Sequence, residues 1–271
     1  MNLPVKRKVP LSIITINYNN QKGLERTLRS VDIQSYKDYE YIIIDGGSTD
    51  SSNHIVSRYR ELVSYYVSEP DDGIFHAMNK GVQASTGEYL LFLNSGDFLF
   101  DEKTLQAVID YGLDEDIIYG NIKVTKSAVH EEEWCPPAEL TFKTFLERSI
   151  PHQSSFIKRS LFTKVGFYNE HYKMVSDWEF FMVAVCRFQC SYKHFDRLIA
   201  VFDEDGITSN PENYPAMGLE RQTVLDAHFS RFVKDYEKMR EMEKELRKFT
   251  FLRNARVIYK DLVRKLKNRY S

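Results

Sequence analysis

A chain of 271 residues, 42% hydrophobic and 28% charged, is long enough to bury a full core and too apolar to stay disordered. Its net charge of −2 hides an asymmetry, a basic C-terminal tail, beyond which nothing in the chain supports a nucleic-acid partner, and three cysteines, an odd number without metal-type spacing, leave no disulfide framework. No apolar run reaches the ~20 residues of a spanning helix, and Met1 to Pro10 lacks the apolar stretch of a signal peptide, so a cytoplasmic protein is expected.

In chain order, Leu11 to Ile16 reads as a first strand, followed by Asn17, Tyr18, Asn19 and Asn20, which offer turn and N-cap chemistry. Leu24, Leu28 and Val31 recur at helical spacing and predict about three helical turns before Ser35. Tyr39 to Ile44 is the next strand, ending at Asp45. Thr49 or Asp50 caps a helix with Ile55, Val56, Tyr59 and Leu62 on one face, and Val63 to Val67 is a shorter strand ending in Glu69, Pro70, Asp71 and Asp72. A helix over Ile74 to Ala84 leads to Tyr89–Leu93, an uncharged run that reads as a strand covered on both faces and ends at Asn94, Ser95, Gly96 and Asp97. Three strand–helix alternations imply parallel pairing with right-handed crossovers.

The second half is less regular. A helix near Lys103 to Tyr111 precedes a bent strand over Ile117 to Val124 with Gly120 inside it, and the acidic segment from Lys126 to Pro137 reads as a mobile loop. Next come a short strand Ser155 to Ile157, a turn at Gly166, a helix from Asp177 to Cys190 burying Trp178, Phe181, Met182 and Val185, and a last strand Ile199 to Phe202. From Met217 helix formers dominate to the end.

Three strand ends in the first half present acid: Asp45, the Glu69 to Asp72 cluster, and Asp97. Carboxylates gathered at one sheet edge repel unless something positive sits among them, either a divalent cation or a cationic ligand. No G-x-G-x-x-G and no Walker-type Gly-Lys-Ser or Gly-Lys-Thr occurs, so dinucleotide and ATP sites lack their best signal. What remains is a nucleotide held by acids and a metal, the logic of sugar-nucleotide chemistry.

Ser12 to Asn19, Ile44 to Asp50, Ser68 to Gly81 and Leu93 to Asp97 together resemble the family 2 glycosyltransferases of the GT-A fold, in the flavour that builds bacterial capsule, exopolysaccharide or O-antigen. The resemblance covers roughly residues 9 to 205 and implies an α/β fold with a Rossmann-like, mostly parallel central sheet flanked by helices. It divides the chain into a nucleotide-sugar-binding half (1–120), an acceptor half with the catalytic base (121–215) and a helical extension (216–271).

It also implies roles. Tyr18 and Asp45 contact the base, Asp72 and Lys80 line the nucleotide-sugar pocket with Asn94 and Ser95, and Asp97 anchors Mn²⁺ or Mg²⁺. Asn94 and Gly96 stand where many relatives carry Asp, leaving Asp97 as the turn's one carboxylate. Asp177, in Val-Ser-Asp-Trp-Glu-Phe, matches the base of an inverting hexosyl- or N-acetylhexosaminyl-transferase, with Glu179 in reserve. His152 and Gln153 face the acceptor or diphosphate, and Trp178 is the aromatic of choice for stacking on an acceptor sugar. The partners implied are a UDP-sugar and a saccharide or polyprenyl-linked acceptor. A sugar nucleotidyltransferase and a sugar-nucleotide-binding protein without activity stay open as alternatives.

From Arg247 to Tyr270 there are nine Lys or Arg against one acid, so this tail carries +8 and the rest of the chain −10. Phe251, Ala255, Ile258, Leu262 and Leu266 form one apolar stripe. The segment is read either as a helix that packs on its own domain or on a second copy in a homodimer, or as one that lies on the anionic inner face of the cell membrane.

Overall fold

The computed structural model describes residues 10–127, 130–203 and 210–267. The chain forms two units, Met1–Glu220 and Arg221–Ser271.

In the larger unit, β1 (Leu11–Asn17), α1 (Gln21–Asp32), β2 (Tyr39–Asp45), α2 (Ser52–Arg58), β3 (Tyr65–Ser68), α3 (Ile74–Ala84) and β4 (Tyr89–Phe92) keep to the expected alternation. β1 and β4 are buried at every residue; β4 is an unbroken apolar run, and in β1 the buried Ser12, Thr15 and Asn17 are each hydrogen-bonded. α1 starts where the Asn20 side chain accepts from Gly23 N at 3.0 Å, which satisfies one of the four orphan N–H groups of a helix start. Its Leu24, Leu28 and Val31 are fully buried and form one stripe against the sheet. α2 is shorter than its sequence pattern: it ends at Arg58, and Tyr59 and Leu62 pack on the core from the turns beyond it.

β1 pairs in parallel with β2 on one side and β4 on the other, and β2 with β3. The register places Asn17 beside Asp45 and Asp45 beside Ser68, so three polar strand ends meet at one edge. The strand order reverses between β1 and β4, and such a switch point opens a crevice outside the carboxyl ends.

β5 (Phe98–Leu99), α4 (Thr104–Tyr111), β6 (Ile117–Ser127), β7 (His130–Trp134), α5 (Phe142–Glu147), a 3₁₀ turn at His152–Ser154, β8 (Ser155–Lys158), α6 (Leu161–Lys164), α7 (Ser176–Cys186) and β9 (Tyr192–Asp203) complete the unit. The sheet order is β3-β2-β1-β4-β8-β6-β9-β5, with β7 on β6. β8 runs antiparallel between β4 and β6, and β6 and β9 are parallel, so the sheet is purely parallel only from β3 to β4. Gly120 marks a bulge where the β6–β9 register shifts; a Cβ there would lie 2.4 Å from Ile199 Cγ1 and 2.9 Å from Arg197 O.

Three expectations for this half need correction. The segment from Lys126 to Pro137 is not a loop throughout: Glu131, Glu132 and Glu133 belong to β7 and pair with Thr125, Val124 and Lys123, with Lys123 Nζ 2.5 Å from Glu131. The helix expected to run to Cys190 stops at Cys186, and Gln189 turns the chain with φ +48°. The last strand starts seven residues before Ile199, because its N-terminal part pairs with β6 through residues that alternate between faces.

In the second unit the backbone of α8 (Tyr214–Lys267), which begins before the boundary, stays helical except at Phe229 (φ −137°). The side chains of the stripe from Phe251 to Leu266 lie outside the described residues. Among the described residues no helix is long and apolar enough to cross a membrane.

Candidate active site

Asp45 ends β2 with its carboxylate inside the protein, 1% exposed. Its Oδ1 accepts from Asn17 Nδ2 (2.7 Å) and Ser48 Oγ (2.6 Å), and its Oδ2 from Ser48 N (2.9 Å) and Ser68 Oγ (2.6 Å). Burial alone would raise its pKa, but these hydrogen bonds outweigh it and hold the carboxyl below its ordinary value. Four donors use the carboxylate fully, so Asp45 shapes the loop after β2 and does not itself face the cleft. Gly46 does, as does the exposed Tyr18 across from it. The N-cap position of α2 is Ser51, not Thr49 or Asp50; Asp50 instead joins the starts of α2 and α1, its Oδ1 accepting from Ser52 N and its Oδ2 from Gln21 N.

The turn Asn94–Asp97 is fastened to α1. Asn20 Nδ2 donates to Ser95 O (2.9 Å), Arg26 to Gly96 O (2.5 Å) and Thr27 Oγ1 to Asp97 O (2.6 Å), while Gly96 N donates to Thr27 Oγ1 (3.0 Å). Gly96 has φ +113°, a conformation few side chains tolerate, which accounts for glycine at this position. The turn therefore presents Asp97, 5% exposed, to the cleft in a fixed direction. Asn94 Oδ1 on the same turn is buried without a hydrogen-bond partner.

Opposite this turn stands Asp177, in the first turn of α7. His152 Nδ1 lies 3.0 Å from Asp177 Oδ2, and His152 Nε2 lies 3.3 Å from Asn94 Nδ2. The imidazole thus bridges the helix that carries Asp177 and the turn that carries Asp97. Burial pulls the His152 pKa down, yet the hydrogen bond and charge of Asp177, with the charge of Asp97, more than offset it, and the net shift is upward.

One cleft of ≈ 1310 Å³ brings together Tyr18, Asn94, Ser95, Asp97, His152, Gln153 and Asp177. Other expected residues lie elsewhere. Asp72 is 96% exposed at its side chain and turns to His76, donating its backbone N–H to Nδ1 with its carboxylate 3.9 Å from the same atom; the acid that faces the cleft is its neighbour Asp71. Lys80 does not line the cleft, because it is held 2.7 Å from both Asp71 and Glu69. Trp178 is 3% exposed and donates Nε1–H to Phe145 O at 2.7 Å, so it belongs to the packing between α5 and α7. Glu179, one residue on, is also off the cleft. Tyr168 and Phe180 join Phe92 and Phe162 in an aromatic core cluster, with Phe162 and Phe180 stacked at 4.6 Å.

Asp71, Thr27 and the cations Lys22 and Arg26 were not singled out by the sequence. Thr27 carried one readable sign, a hydroxyl between the apolar positions Leu24 and Leu28 on a buried helix face. Among the described residues no group of three or more His, Cys, Asp or Glu is arranged to hold a metal.

A family model described as Glycosyl transferase family 2 matches residues 12–177. An uncharacterized glycosyltransferase of Mycobacterium tuberculosis is 32% identical over 222 residues, covering 77% of this chain and 80% of its own. A PGL/p-HBAD biosynthesis glycosyltransferase of Mycobacterium bovis is 30% identical over 205 residues, 73% and 78% of the two chains. Among solved structures, S. aureus TarS 1-349 in complex with UDP-GlcNAc shares the fold with TM-score 0.59 at 20% identity over 72% of this chain. The mannosyltransferase PcManGT of Pyrobaculum calidifontis, in complex with GDP-Man and Mn²⁺, does so with TM-score 0.57 at 16% identity over 84%. This chain spans 58% and 65% of those two.

Proposed function

The chain belongs to glycosyl transferase family 2, and from that premise we propose an inverting transfer in which Asp177 takes the proton of the acceptor hydroxyl. The observation that carries this reading is the Asp177–His152–Asn94 chain, which ties a cleft-facing carboxylate to the turn bearing Asp97. Asp177 Oδ2 is engaged by His152, so Oδ1 is the oxygen left for the proton. As it leaves, the acceptor oxygen bonds to the anomeric carbon, and the bond from that carbon to the diphosphate breaks on the opposite face. Oriented by His152, the carboxylate needs no reorganisation at the moment of attack.

A divalent cation, Mn²⁺ or Mg²⁺, supplies charge neutralisation at the leaving diphosphate when bound. Asp97 would hold it. Hard cations accept one protein carboxylate when phosphates and waters complete the shell, and the unpartnered Asn94 Oδ1 supplies an acceptor for a bound water or sugar hydroxyl beside it. The cleft therefore fits a weakly held metal that arrives with its donor.

The donor proposed is a UDP-sugar carrying a hexosyl or N-acetylhexosaminyl group, and the acceptor a saccharide or lipid-linked saccharide of the bacterial surface. TarS with its UDP-GlcNAc and the mycobacterial PGL/p-HBAD relative support that direction. The proposed place of work is the cytoplasm, with the basic helical end either packed on protein, its own domain or a second copy, or set against the anionic inner face of the membrane. A thermal-shift screen of nucleoside-diphosphate sugars with and without Mn²⁺ tests the donor. A ligand at a hundred times its Kd stabilises the native state by about 2.7 kcal/mol, several degrees for a domain of this size. Stabilisation by UDP-sugars that grows with Mn²⁺ is expected; no stabilisation by any nucleoside-diphosphate sugar would remove the reading.

A further inference from the structure

We propose that Lys22 and Arg26, one turn apart on α1, form a cationic clamp for the donor's diphosphate that supplies part of the charge neutralisation at the leaving group. The inference rests on the glycosyltransferase reading and deepens it by assigning a diphosphate subsite to a helix outside the sequence motifs.

Residues four apart lie on one helix face, and both of these are exposed and line the same cleft as Asn94, Ser95 and Asp97. Arg26 is fixed at the turn: it donates to Gly96 O at 2.5 Å, and its guanidinium carbon lies 5.0 Å from the centre of the Phe98 ring. Its Nη2 is 3.7 Å from where a Cβ on Gly96 would be. The guanidinium thus stands directly beside the turn that carries Asp97, so a cation is fixed at the cleft's strand-end edge. Lys22 makes no hydrogen bond or ion pair among the described residues, and a lone ammonium on a cleft rim is a ready partner for phosphate oxygens.

Two of the cleft's carboxylates are already matched. Lys80 neutralises Asp71, and His152 faces Asp177. A diphosphate bound at this turn would meet Asp97, with whatever cation it carries, on one side and the α1 pair on the other. Guanidinium and ammonium groups stabilise charge developing on a leaving phosphate without needing to be loaded first.

Calorimetric titration of the full chain with UDP, inorganic pyrophosphate and uridine, in EDTA and in Mn²⁺, tests this with wild type, Lys22→Ala, Arg26→Lys, Arg26→Ala and Lys22→Ala/Arg26→Ala. The expected result is that wild type binds UDP in EDTA and that the double variant loses roughly tenfold or more of that affinity, with the salt dependence reduced. Uridine affinity stays unchanged, and Arg26→Lys retains more UDP affinity than Arg26→Ala. Lys22 is exposed and makes no hydrogen bond or ion pair among the described residues, so Lys22→Ala is expected to leave Tm unchanged and to report on phosphate. Equal UDP affinity in wild type and double variant, equal loss for uridine and UDP, or UDP binding only when Mn²⁺ is present would each overturn the clamp while leaving the transferase reading intact. Absence of UDP, pyrophosphate and sugar-nucleotide binding even with Mn²⁺ would overturn both.

Discussion

Replacing Asp177 with Asn keeps the shape of the side chain, removes its charge and should thereby change the titration of His152. In the wild type the imidazole is buried, which alone lowers its pKa. The Asp177 hydrogen bond at 3.0 Å and the charges of Asp177 and Asp97 reverse that sign. In Asp177→Asn only Asp97 opposes burial, so the His152 pKa is expected to fall from above 6.5 toward or below it. Stability obeys the same logic. A His whose folded pKa is raised contributes stability that is complete below its unfolded value, near 6.5, and is lost as pH rises through the folded value. Both side chains are less than a quarter exposed, so a charge-assisted bond of about 1.5–3 kcal/mol is the relevant scale, or about 3–12 °C in Tm for a unit of this size. The deficit of the variant should therefore be largest near pH 5.5. It should close at pH values above the folded pKa, where a neutral imidazole still donates Nδ1–H to the variant's amide oxygen. Histidine Cε1–H resonances followed by NMR across pH, assigned by their loss in His152→Ala, read the titration directly, with Tm measured in parallel. An unchanged His152 titration in Asp177→Asn, or a Tm deficit independent of pH, would refute the coupling.

Asp97→Ala should abolish the extra stabilisation that Mn²⁺ gives to a bound UDP-sugar and lower transfer by more than about a hundredfold; a full rate at saturating Mn²⁺ would end its assignment to the metal. Trp178→Phe loses the bond to Phe145 O and leaves that carbonyl unpaired, costing about 1–3 kcal/mol without changing the acceptor KM. A raised KM at unchanged Tm would instead return Trp178 to the acceptor site. Gly120→Ala drives a methyl into Ile199 and the Arg197 carbonyl, and overpacking of about 1–3 kcal/mol should appear as a lower denaturation midpoint; an unaltered midpoint would mean the bulge relaxes freely.

The parallel half of the fold was legible because its strands are covered on both faces, so Tyr89–Leu93 is apolar without interruption and Leu11–Ile16 and Tyr39–Ile44 are mostly so, broken only by Ser12 and Thr15 and by Glu40. β7 was hidden by the same principle in reverse. Glu131, Glu132 and Glu133 offer no alternation, and their strand exists through backbone pairing to β6 and the packing of Trp134. At the site, strand-end acids could be located, but their neighbours could not. Only the register reveals that Asn17 and Ser68 flank Asp45 and consume its acceptor sites. In Glu-Pro-Asp-Asp-Gly, nothing local distinguishes Asp71 from Asp72; Lys80, nine residues away on α3, makes the choice. α7 buries eight of its eleven residues, so its periodicity could not say which side chains meet the cleft and which, like Trp178, meet α5. The grip of α1 on the Asn94–Asp97 turn is likewise a tertiary fact, made by Asn20, Arg26 and Thr27 from a helix that reads as ordinary.

The claim that Asp177 serves as the base of transfer from a nucleoside-diphosphate sugar is tested most directly by nucleoside-diphosphate release. Wild type and Asp177→Asn are incubated with the donor that stabilises the protein, and release to acceptor or water is monitored, with donor affinity measured on the same samples. Release by wild type, and a loss of about a hundredfold or more in the variant at unchanged donor affinity, is the predicted result. Equal release by both proteins would contradict it.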